Sequence, residues 1–250
     1  MAAFGDGADV TVVAGGTILM PELTYGRLQP ARALLLTRTG LDTMRRENGT
    51  VHLGATLPVA ALEDAPEPLA SAARHVADPE VRAQGTVGGN LCAAHAAEAP
   101  RGDLQAPLIA LGARIRSTGS GGERTQPVEE FLAAAPTGRL VLGIEFEEPQ
   151  AGAWAALDRP HAHDYTALAV SACRGADGSD HLAASGAAPR GIRLAAAEAA
   201  YAETGDAGRA GRDAVRDAKF ADDALASTWY REQMLPVLVG RALSQLEEAA

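Results

Sequence analysis

The sequence predicts an α+β protein, because short strand-like runs and helical segments alternate along most of the chain. Residues 10–14, 51–55 and 140–146 are apolar or β-branched runs with the length of single strands. At 250 residues with 47% hydrophobic content, the chain can bury the core of one large domain or of two domains of ordinary size. The Pro- and Gly-containing stretch at residues 149–152 is a candidate domain boundary.

Glycine and proline divide the N-terminal part of the chain into short elements. Gly112 follows an apolar helical run, and Gly119-Ser120-Gly121-Gly122 separates two strand-like runs as the tip of a hairpin would. The elements predicted up to residue 148 are strands at 10–14, 33–36, 51–55, 114–116, 126–128 and 140–146, and helical segments at 58–62, 68–76 and 107–111.

The C-terminal part ends in a predicted long helix at residues 229–246. Its apolar residues recur at helical intervals, namely Leu235, Leu238, Val239, Ala242 and Leu246. We expect strands at 166–173 and 179–187 and a helix at 192–201. Residues 205–223 are charged and weakly patterned, so no regular element is assigned to them.

Charge and hydropathy exclude two classes of partner. The formal charge of −10 argues against nucleic acid, which proteins bind by neutralising phosphates with clustered Lys and Arg. The apolar runs fall short of the ~18 residues that a membrane-spanning helix needs, and the N-terminus lacks the pattern of a signal peptide. We therefore expect a cytoplasmic protein without membrane insertion.

Cys92 and Cys173 are the two cysteines of the chain, and they lie far apart. Neither a disulfide framework nor a Cys-ligated zinc or iron–sulfur site can be built from them, so any such cluster must belong to a partner. Cys92 has no His-rich setting that would activate it as a nucleophile, and we interpret it as a small buried residue.

Two double-glycine motifs are the most informative local features. The first glycine motif is Ala14-Gly15-Gly16-Thr17 after a predicted strand, and the second is Thr86-Val87-Gly88-Gly89-Asn90. Consecutive glycines allow positive φ and remove the Cβ atoms that would keep a diphosphate away from backbone N–H groups. Neither motif matches a Rossmann or P-loop pattern, and each alone is more often an ordinary turn.

The flanks of both motifs carry a family resemblance that covers nearly the whole chain. The matching stretches are residues 15–21, 77–92, 103–113 and 226–243. Together they resemble the FAD-binding medium subunits of the molybdenum hydroxylase family, whose flavin domain is called PCMH-type. The chain is similar to the carbon monoxide dehydrogenase flavoprotein and to the FAD domain of xanthine dehydrogenase.

The resemblance implies a specific domain organisation. Residues 1–148 would form a PCMH-type FAD-binding domain of two α/β subdomains. Family members usually begin with a further strand and helix ahead of the first glycine motif, so this N-terminus is interpreted as shortened. Residues 149–250 would form a small C-terminal domain like that of the carbon monoxide dehydrogenase flavoprotein, with a three-stranded antiparallel sheet and helices.

The resemblance also implies which residues bind FAD. The first motif would wrap the diphosphate and ribityl chain, the second would add further contacts, and the Asp103 carboxylate would accept a hydrogen bond from a ribose hydroxyl. The segment between Asn90 and Asp103 is longer than the family pattern. The implied FAD-binding residues are Ala14, Gly15, Gly16, Thr17, Ile18, Leu19, Thr56, Ala77, Thr86, Gly88, Gly89, Asn90, Asp103 and Leu142.

The isoalloxazine ring would face residues 159–166, where the family carries a basic stretch and an Asp-Phe-Ala triplet. This chain has Tyr165 in place of the aromatic residue and histidines at the basic positions. No catalytic residue is assigned, and the candidates are His163, Asp164 and Tyr165. His161 and His163 have the spacing of a metal site without further ligands, so no metal is proposed.

The leading functional hypothesis is an electron-transferring FAD subunit. It would take electrons from the [2Fe–2S] clusters of one partner subunit, reduced by a molybdopterin-containing large subunit, and pass them to NAD, oxygen or a quinone. The alternative is a stand-alone flavin-dependent oxidase or dehydrogenase acting directly on a small organic substrate. A third reading is a module that has lost flavin and serves only in assembly.

Overall fold

The computed structural model describes residues 3–7, 9–93, 102–134, 138–157 and 166–250. Three sheets and a series of mostly short helices make up this part of the chain, in agreement with the predicted α+β class. Within these ranges, no helix combines the length and the apolar character that crossing a bilayer requires.

The largest sheet is antiparallel and has the strand order β3-β4-β7-β5-β6. Its hairpin of β5 and β6 turns at Ser120 and Gly121, as predicted, and Gly122 adopts φ +77° there. A register shift between Arg116 and Ser117 interrupts the pairing of β5 with β7. The strands are β3 Met44–Glu47, β4 Thr50–Gly54, β5 Arg114–Gly119, β6 Gly122–Pro127 and β7 Arg139–Glu147.

Short helices cover one face of this sheet and supply most of its core. Leu53 and Ile115 from the sheet are buried against leucines of the helical segments, such as Leu62, Leu69 and Leu91. Burying one such side chain contributes about 1.5–3 kcal/mol. The segments are a 3-10 helix Val59–Asp64, α2 Leu69–Arg74, α3 Pro79–Gln84, α4 Val87–Cys92, α5 Gln105–Ala110 and α6 Val128–Ala133.

A small parallel unit precedes the large sheet. Strand β1 (Val10–Val13) pairs in parallel with β2 (Arg32–Leu35), and helix α1 (Leu19–Thr24) lies between them in the chain. A third apolar cluster joins this unit to β7, with Phe4, Leu36, Leu140 and Leu142 at its centre and Ala14 packed against it. This cluster places the first glycine motif beside the large sheet.

The C-terminal sheet has the order β11-β10-β9-β8 and is antiparallel throughout its pairs. Three strands of six residues form the predicted sheet, and a two-residue edge strand is added to them. The strands are β8 Ala151–Ala156, β9 Ala169–Arg174, β10 Asp180–Ser185 and β11 Ile192–Arg193. The helices are α7 Ala195–Thr204, α8 Ala207–Ala214 and α9 Thr228–Ala249.

Helix α9 buries the apolar stripe that the sequence predicts, from Leu235 to Leu246, against this sheet and α8. Helix α8, by contrast, lies in the segment to which the sequence assigned no element. Its buried side is made of Ala210, Gly211 and Ala214, which carry almost no hydrophobic signal. A Cβ at Gly211 would lie 2.6 Å from the Pro236 carbonyl oxygen, so close helix contact selects these small residues.

Helix α5 connects the two larger sheets. All six of its residues are buried, and it packs on β9 and β10 of the C-terminal sheet while its apolar side chains join the core of the large sheet. The domain boundary after residue 148 stays a prediction.

A buried arginine fixes the start of α9. The Arg231 side chain is 3% exposed and donates to both oxygens of Asp223, at 2.8 and 2.7 Å. It also donates to the carbonyl oxygens of Ala167 and Ala226, at 3.1 and 3.0 Å, and to that of Ala221. Partial burial opposes ionisation of Asp223, but the hydrogen bonds from Arg231 and the backbone leave the pKa of that carboxyl below its usual value.

We expect Arg231→Met to lower the free energy of unfolding by about 2–3 kcal/mol, because it removes the buried guanidinium that donates to the partly exposed Asp223 carboxylate and to the Ala167 and Ala221 carbonyl oxygens. Urea unfolding monitored by circular dichroism measures the change. Arg216→Met is the matched control, since the Arg216 side chain is 74% exposed and its ion pair with Asp213 spans 3.9 Å. Equal stability losses in the two variants would contradict the role given to Arg231.

Candidate functional site

The first glycine motif follows β1, as the sequence predicts, and leads into α1, a helix that the sequence does not predict. Gly16 adopts φ +77°, which a residue with a side chain rarely takes, and its carbonyl oxygen accepts from Met20 N at 2.8 Å. Helix α1 begins at Leu19, with Ile18 as its N-cap residue. The motif is half-buried, so its backbone is accessible from one side.

This connection holds unused hydrogen-bond donors. Among the residues that the structure describes, none accepts a hydrogen bond from the backbone N–H groups of Gly15, Gly16, Thr17 or Ile18. Buried or half-buried backbone donors are normally paired, with a ligand or water when the chain itself offers no acceptor. Four consecutive donors of this kind match what an anionic diphosphate requires.

The second glycine motif is not the turn that the sequence predicted. Residues Val87–Cys92 form α4, so Gly88 and Gly89 lie in the first turn of a helix. Glycine has a low helix propensity, so a pair of glycines predicts a turn and not a helix. Two contacts outweigh that preference: the Thr86 hydroxyl caps the helix by accepting from Gly89 N at 3.1 Å, and Gly88 N donates to the Ala55 carbonyl oxygen at 2.9 Å.

The two glycines of the second motif have different surroundings. Gly88 is buried, and a Cβ there would lie 2.9 Å from the Ala55 carbonyl oxygen. Gly89 is exposed, and among the described atoms a Cβ there would approach only Thr86 Oγ1, at 2.9 Å. Gly88 is thus required by packing within the protein, whereas Gly89 leaves open space on the surface of α4.

The structure brings the first motif into contact with the two residues that precede the second motif, Gln84 and Gly85. A Cβ at Gly15 would overlap the Gln84 carbonyl oxygen and would lie 2.9 Å from Gly85 Cα, so only glycine permits this approach. Thr17 Oγ1 lies 3.6 Å from the Cβ position of Gly85. The unused donors of the first motif therefore lie directly beside the segment that leads into α4.

Three further predicted residues surround this junction. Thr56 N donates to the Leu41 carbonyl oxygen at 2.9 Å, and the Leu142 carbonyl oxygen accepts from Ala55 N at 3.2 Å, which places both beside the strand that underlies α4. Ala77 adopts φ +43° just before α3, and its carbonyl oxygen accepts from the Arg82 guanidinium at 3.0 Å.

Asn90 and Asp103 are hydrogen-bonded to each other across the gap in the described chain. Asn90 Nδ2 donates to Asp103 Oδ2 at 2.9 Å, and Asn90 Oδ1 accepts from Leu104 N at 2.9 Å. The two residues are separated by thirteen positions in the sequence. The longer segment between them therefore does not separate the predicted acidic residue from the second motif.

A cavity of about 200 Å³ opens beside Asp103, between the start of α5 and the segment after β10. Its polar lining includes Ser185, Arg190 and Asp222. The predicted ring-facing residues His163, Asp164 and Tyr165, and His161 with them, lie outside the described residues. Ala156 is the last residue of β8, and Leu157, which follows it, packs against the C-terminal core.

The two thiols are unsuited to chemistry at neutral pH. Burial raises the pKa of the Cys92 thiol to about 11, although the residue as a whole is only partly buried. Burial, with Asp180 and Asp177 nearby, raises the pKa of Cys173 to about 12. Both thiols therefore stay protonated, which agrees with the structural role predicted for Cys92.

The sequence does not predict the buried, hydrogen-bonded position of one residue in this region, Gln105. Gln105 begins α5, is fully buried, and uses both ends of its side-chain amide in hydrogen bonds. The available signal was a single amide residue at the start of the apolar run from Leu104 to Leu111.

We expect Gly88→Ala to lower the free energy of unfolding by about 1–3 kcal/mol, because its Cβ meets backbone that cannot move without breaking the contact of α4 with β4. Gly89→Ala, one position along the same helix, should change it by about 1 kcal/mol or less, since alanine favours helix and only one side chain must adjust. Chemical denaturation of both variants, with circular dichroism at 222 nm as the signal, measures this difference. A larger loss in Gly89→Ala would contradict the packing described.

Solved structures of oxidoreductases share the architecture of this chain. The chain superimposes with a TM-score of 0.85 and 28% identity on a chain of carbon monoxide dehydrogenase from Hydrogenophaga pseudoflava, covering 98% of this chain and 92% of that one. Quinoline 2-oxidoreductase from Pseudomonas putida 86 has the same fold, with a TM-score of 0.81 at 21% identity over 96% of this chain and 90% of that one. The expected PCMH-type fold is confirmed.

Sequence comparison finds relatives among dehydrogenase subunits. Caffeine dehydrogenase subunit beta of Pseudomonas sp. (strain CBB1) is 35% identical over 148 residues, which are 56% of this chain and 48% of that protein. The carbon monoxide dehydrogenase medium chain of H. pseudoflava is 34% identical over 133 residues, 50% of this chain and 45% of that protein. The chain thus spans about half the length of the curated relatives it matches.

The family itself is defined by the N-terminal part of the chain, which contains both glycine motifs and Asp103. Residues 1–146 match the family described as the FAD binding domain in molybdopterin dehydrogenase, and because they make up more than half of the chain, the protein belongs to this family.

Proposed function

We propose that this protein is the FAD-carrying subunit of a molybdenum hydroxylase-type dehydrogenase complex. It would receive electrons from the [2Fe–2S] clusters of a partner subunit and deliver them to NAD, oxygen or a quinone. The observation that carries the proposal is the junction of the two glycine motifs, where unused backbone donors lie against the segment that leads to Gly89, Asn90 and Asp103.

The residues at this junction fit the chemical parts of FAD. The N–H groups from Gly15 to Ile18 would donate to the diphosphate, which offers only acceptors. Gly89 has the open space that close approach of a ligand requires. The Asp103 carboxylate, held in place by Asn90, would accept from a ribose hydroxyl. Bound there, FAD would supply the redox chemistry, while these residues bind and orient it.

The composition of the chain supports partner subunits. The two cysteines of this sequence cannot supply the four thiolates of a [2Fe–2S] cluster, so we assign the clusters to a partner subunit. One relative, 30% identical over 165 residues, is named 6-hydroxypseudooxynicotine dehydrogenase complex subunit alpha, from Paenarthrobacter nicotinovorans. Its name supports a role within a complex for this protein too.

We expect Gly89→Val to reduce the FAD content of the purified protein to about a tenth or less of the wild-type value, because a branched side chain would occupy the space needed for close approach. FAD released by acid and quantified by chromatography measures the loss. Gly240→Val is the matched control, since Gly240 also lies in a helix and, among the described residues, no atom beyond its own stretch of helix lies within 4 Å of its Cβ position. Normal FAD content in Gly89→Val would contradict the proposed site.

Purification from the native host distinguishes the complex from a stand-alone enzyme. We expect the tagged chain to co-purify with partners that bring iron, acid-labile sulfide and molybdenum, and the flavin to be reduced only when those partners are present. An isolated chain whose flavin is bleached directly by a small organic substrate would favour the alternative, a stand-alone oxidase or dehydrogenase. Visible absorption spectra before and after substrate addition provide the measurement.

A further inference from the structure

Gln105 is a fully buried amide at the junction of three segments. Its side chain lies at the start of α5, between α4 and the chain that leads into β11. Burying an amide costs several kcal/mol unless its hydrogen-bonding groups are paired. A buried glutamine is therefore stable at this position only if both the oxygen and the nitrogen of its side-chain amide form hydrogen bonds.

Both ends of this amide are paired, and with different segments. Gln105 Nε2 donates to the Leu91 carbonyl oxygen in α4 at 2.8 Å. Gln105 Oε1 accepts from Gly191 N, which precedes β11, at 2.7 Å. One side chain thus joins the helix of the second glycine motif to the C-terminal sheet.

Close packing restricts the conformation of the Gln105 side chain. A Cβ at Gly102 would overlap the Gln105 amide, and a Cβ at Gly191 would lie 2.6 Å from Gln105 Cβ. The backbone at Gly102 and at Gly191 therefore lies close to the Gln105 side chain on two sides, and a side chain at either position would crowd it. Such packing fixes the rotamer and with it the direction of both hydrogen bonds.

The same turn carries Asp103. Gln105 N donates to the Gly102 carbonyl oxygen at 3.0 Å, which closes the turn around Asp103. Asn90 reaches from α4 to this turn through Asp103 and Leu104, while Gln105 reaches back from the turn to Leu91 in α4. Two amide side chains running in opposite directions therefore fix the Asp103 carboxylate relative to α4.

We propose that Gln105 is a positioning residue for FAD binding, which acts through Asp103 and makes its placement depend on docking of the C-terminal sheet at Gly191. The inference rests on the proposed function, because it assigns Asp103 to the ribose of FAD. Gln105 itself does not touch FAD in this proposal. Its effect is to hold the ribose acceptor at a fixed place beside the second glycine motif.

The first test compares two hydrogen bonds that connect the segment before β11 to the N-terminal part of the chain. Gln105→Met keeps the volume and removes both hydrogen bonds. Arg190→Met is the matched control, because Arg190 donates to the Leu132 carbonyl oxygen from the position before Gly191 and, among the described residues, makes no hydrogen bond to the Asp103 turn. We expect the apparent Kd for FAD, measured by fluorescence with the full chain, to rise about tenfold in Gln105→Met and to change less than about twofold in Arg190→Met.

A double-variant cycle tests whether Gln105 acts through Asp103. Asp103→Ala removes the ribose acceptor, so adding Gln105→Met to it should weaken FAD binding no further. If the effects of the two substitutions multiply, or if Arg190→Met weakens FAD binding as much as Gln105→Met does, Gln105 has only a general structural role and the inference is wrong. Should Gln105→Met fail to fold, Gln105→Glu replaces it, since glutamate keeps the acceptor for Gly191 and loses the donor to Leu91.

The outcomes separate this inference from the proposed function. Wild-type protein that binds no FAD, alone or with its partners, would remove both. Wild-type protein that binds FAD, together with a Gln105 variant that binds it equally well, would overturn the positioning role alone.

Discussion

The close approach of Gly15 to the backbone at Gln84 and Gly85 is the contact on which the site depends. It joins a parallel unit at the N-terminus to a helical layer that is some seventy residues away in sequence. A single methyl group at Gly15 would separate them, because the opposing atoms are backbone and cannot rotate away. Without this approach, the donors of the first glycine motif and the helix of the second would belong to two unconnected surfaces.

The two glycine motifs then contribute in different ways. In the part of the chain that the structure describes, the backbone donors of the first motif have no acceptor, as an anion site requires. The second uses the N–H groups of Gly88 and Gly89 within the protein, to fix α4 on β4 and to cap the helix with Thr86. What the second motif offers a ligand is the bare surface at Gly89 and the side chain of Asn90. Of the two similar glycine pairs, one thus offers backbone hydrogen-bond donors, and the other allows a helix to pack closely on a strand.

Buried polar side chains connect this site to the C-terminal sheet. Arg231 fixes the chain at Ala167 and Asp223, and Gln105 fixes Gly191 against α4. In both cases hydrogen bonds offset the cost of burying a polar group: all the donor groups of the Arg231 guanidinium are used, and both ends of the Gln105 amide are paired. These interactions are directional, so they define relative position more narrowly than the apolar contacts of α5 do.

The sequence by itself determined the α+β class, most strands, the hairpin at Ser120 and Gly121, the apolar stripe of α9 and the family, because periodicity and glycine placement are local properties. Helices α4 and α8 depended on tertiary structure, since glycine and alanine carry weak helical or hydrophobic signals until neighbouring backbone packs against them. Tertiary structure alone also decided the contact of Gly15 with Gln84 and Gly85, the hydrogen bond of Asn90 to Asp103 and the two hydrogen bonds of the Gln105 side chain. Each of these interactions joins residues that are distant in sequence. The spatial distances between such residues are set only when the chain has folded.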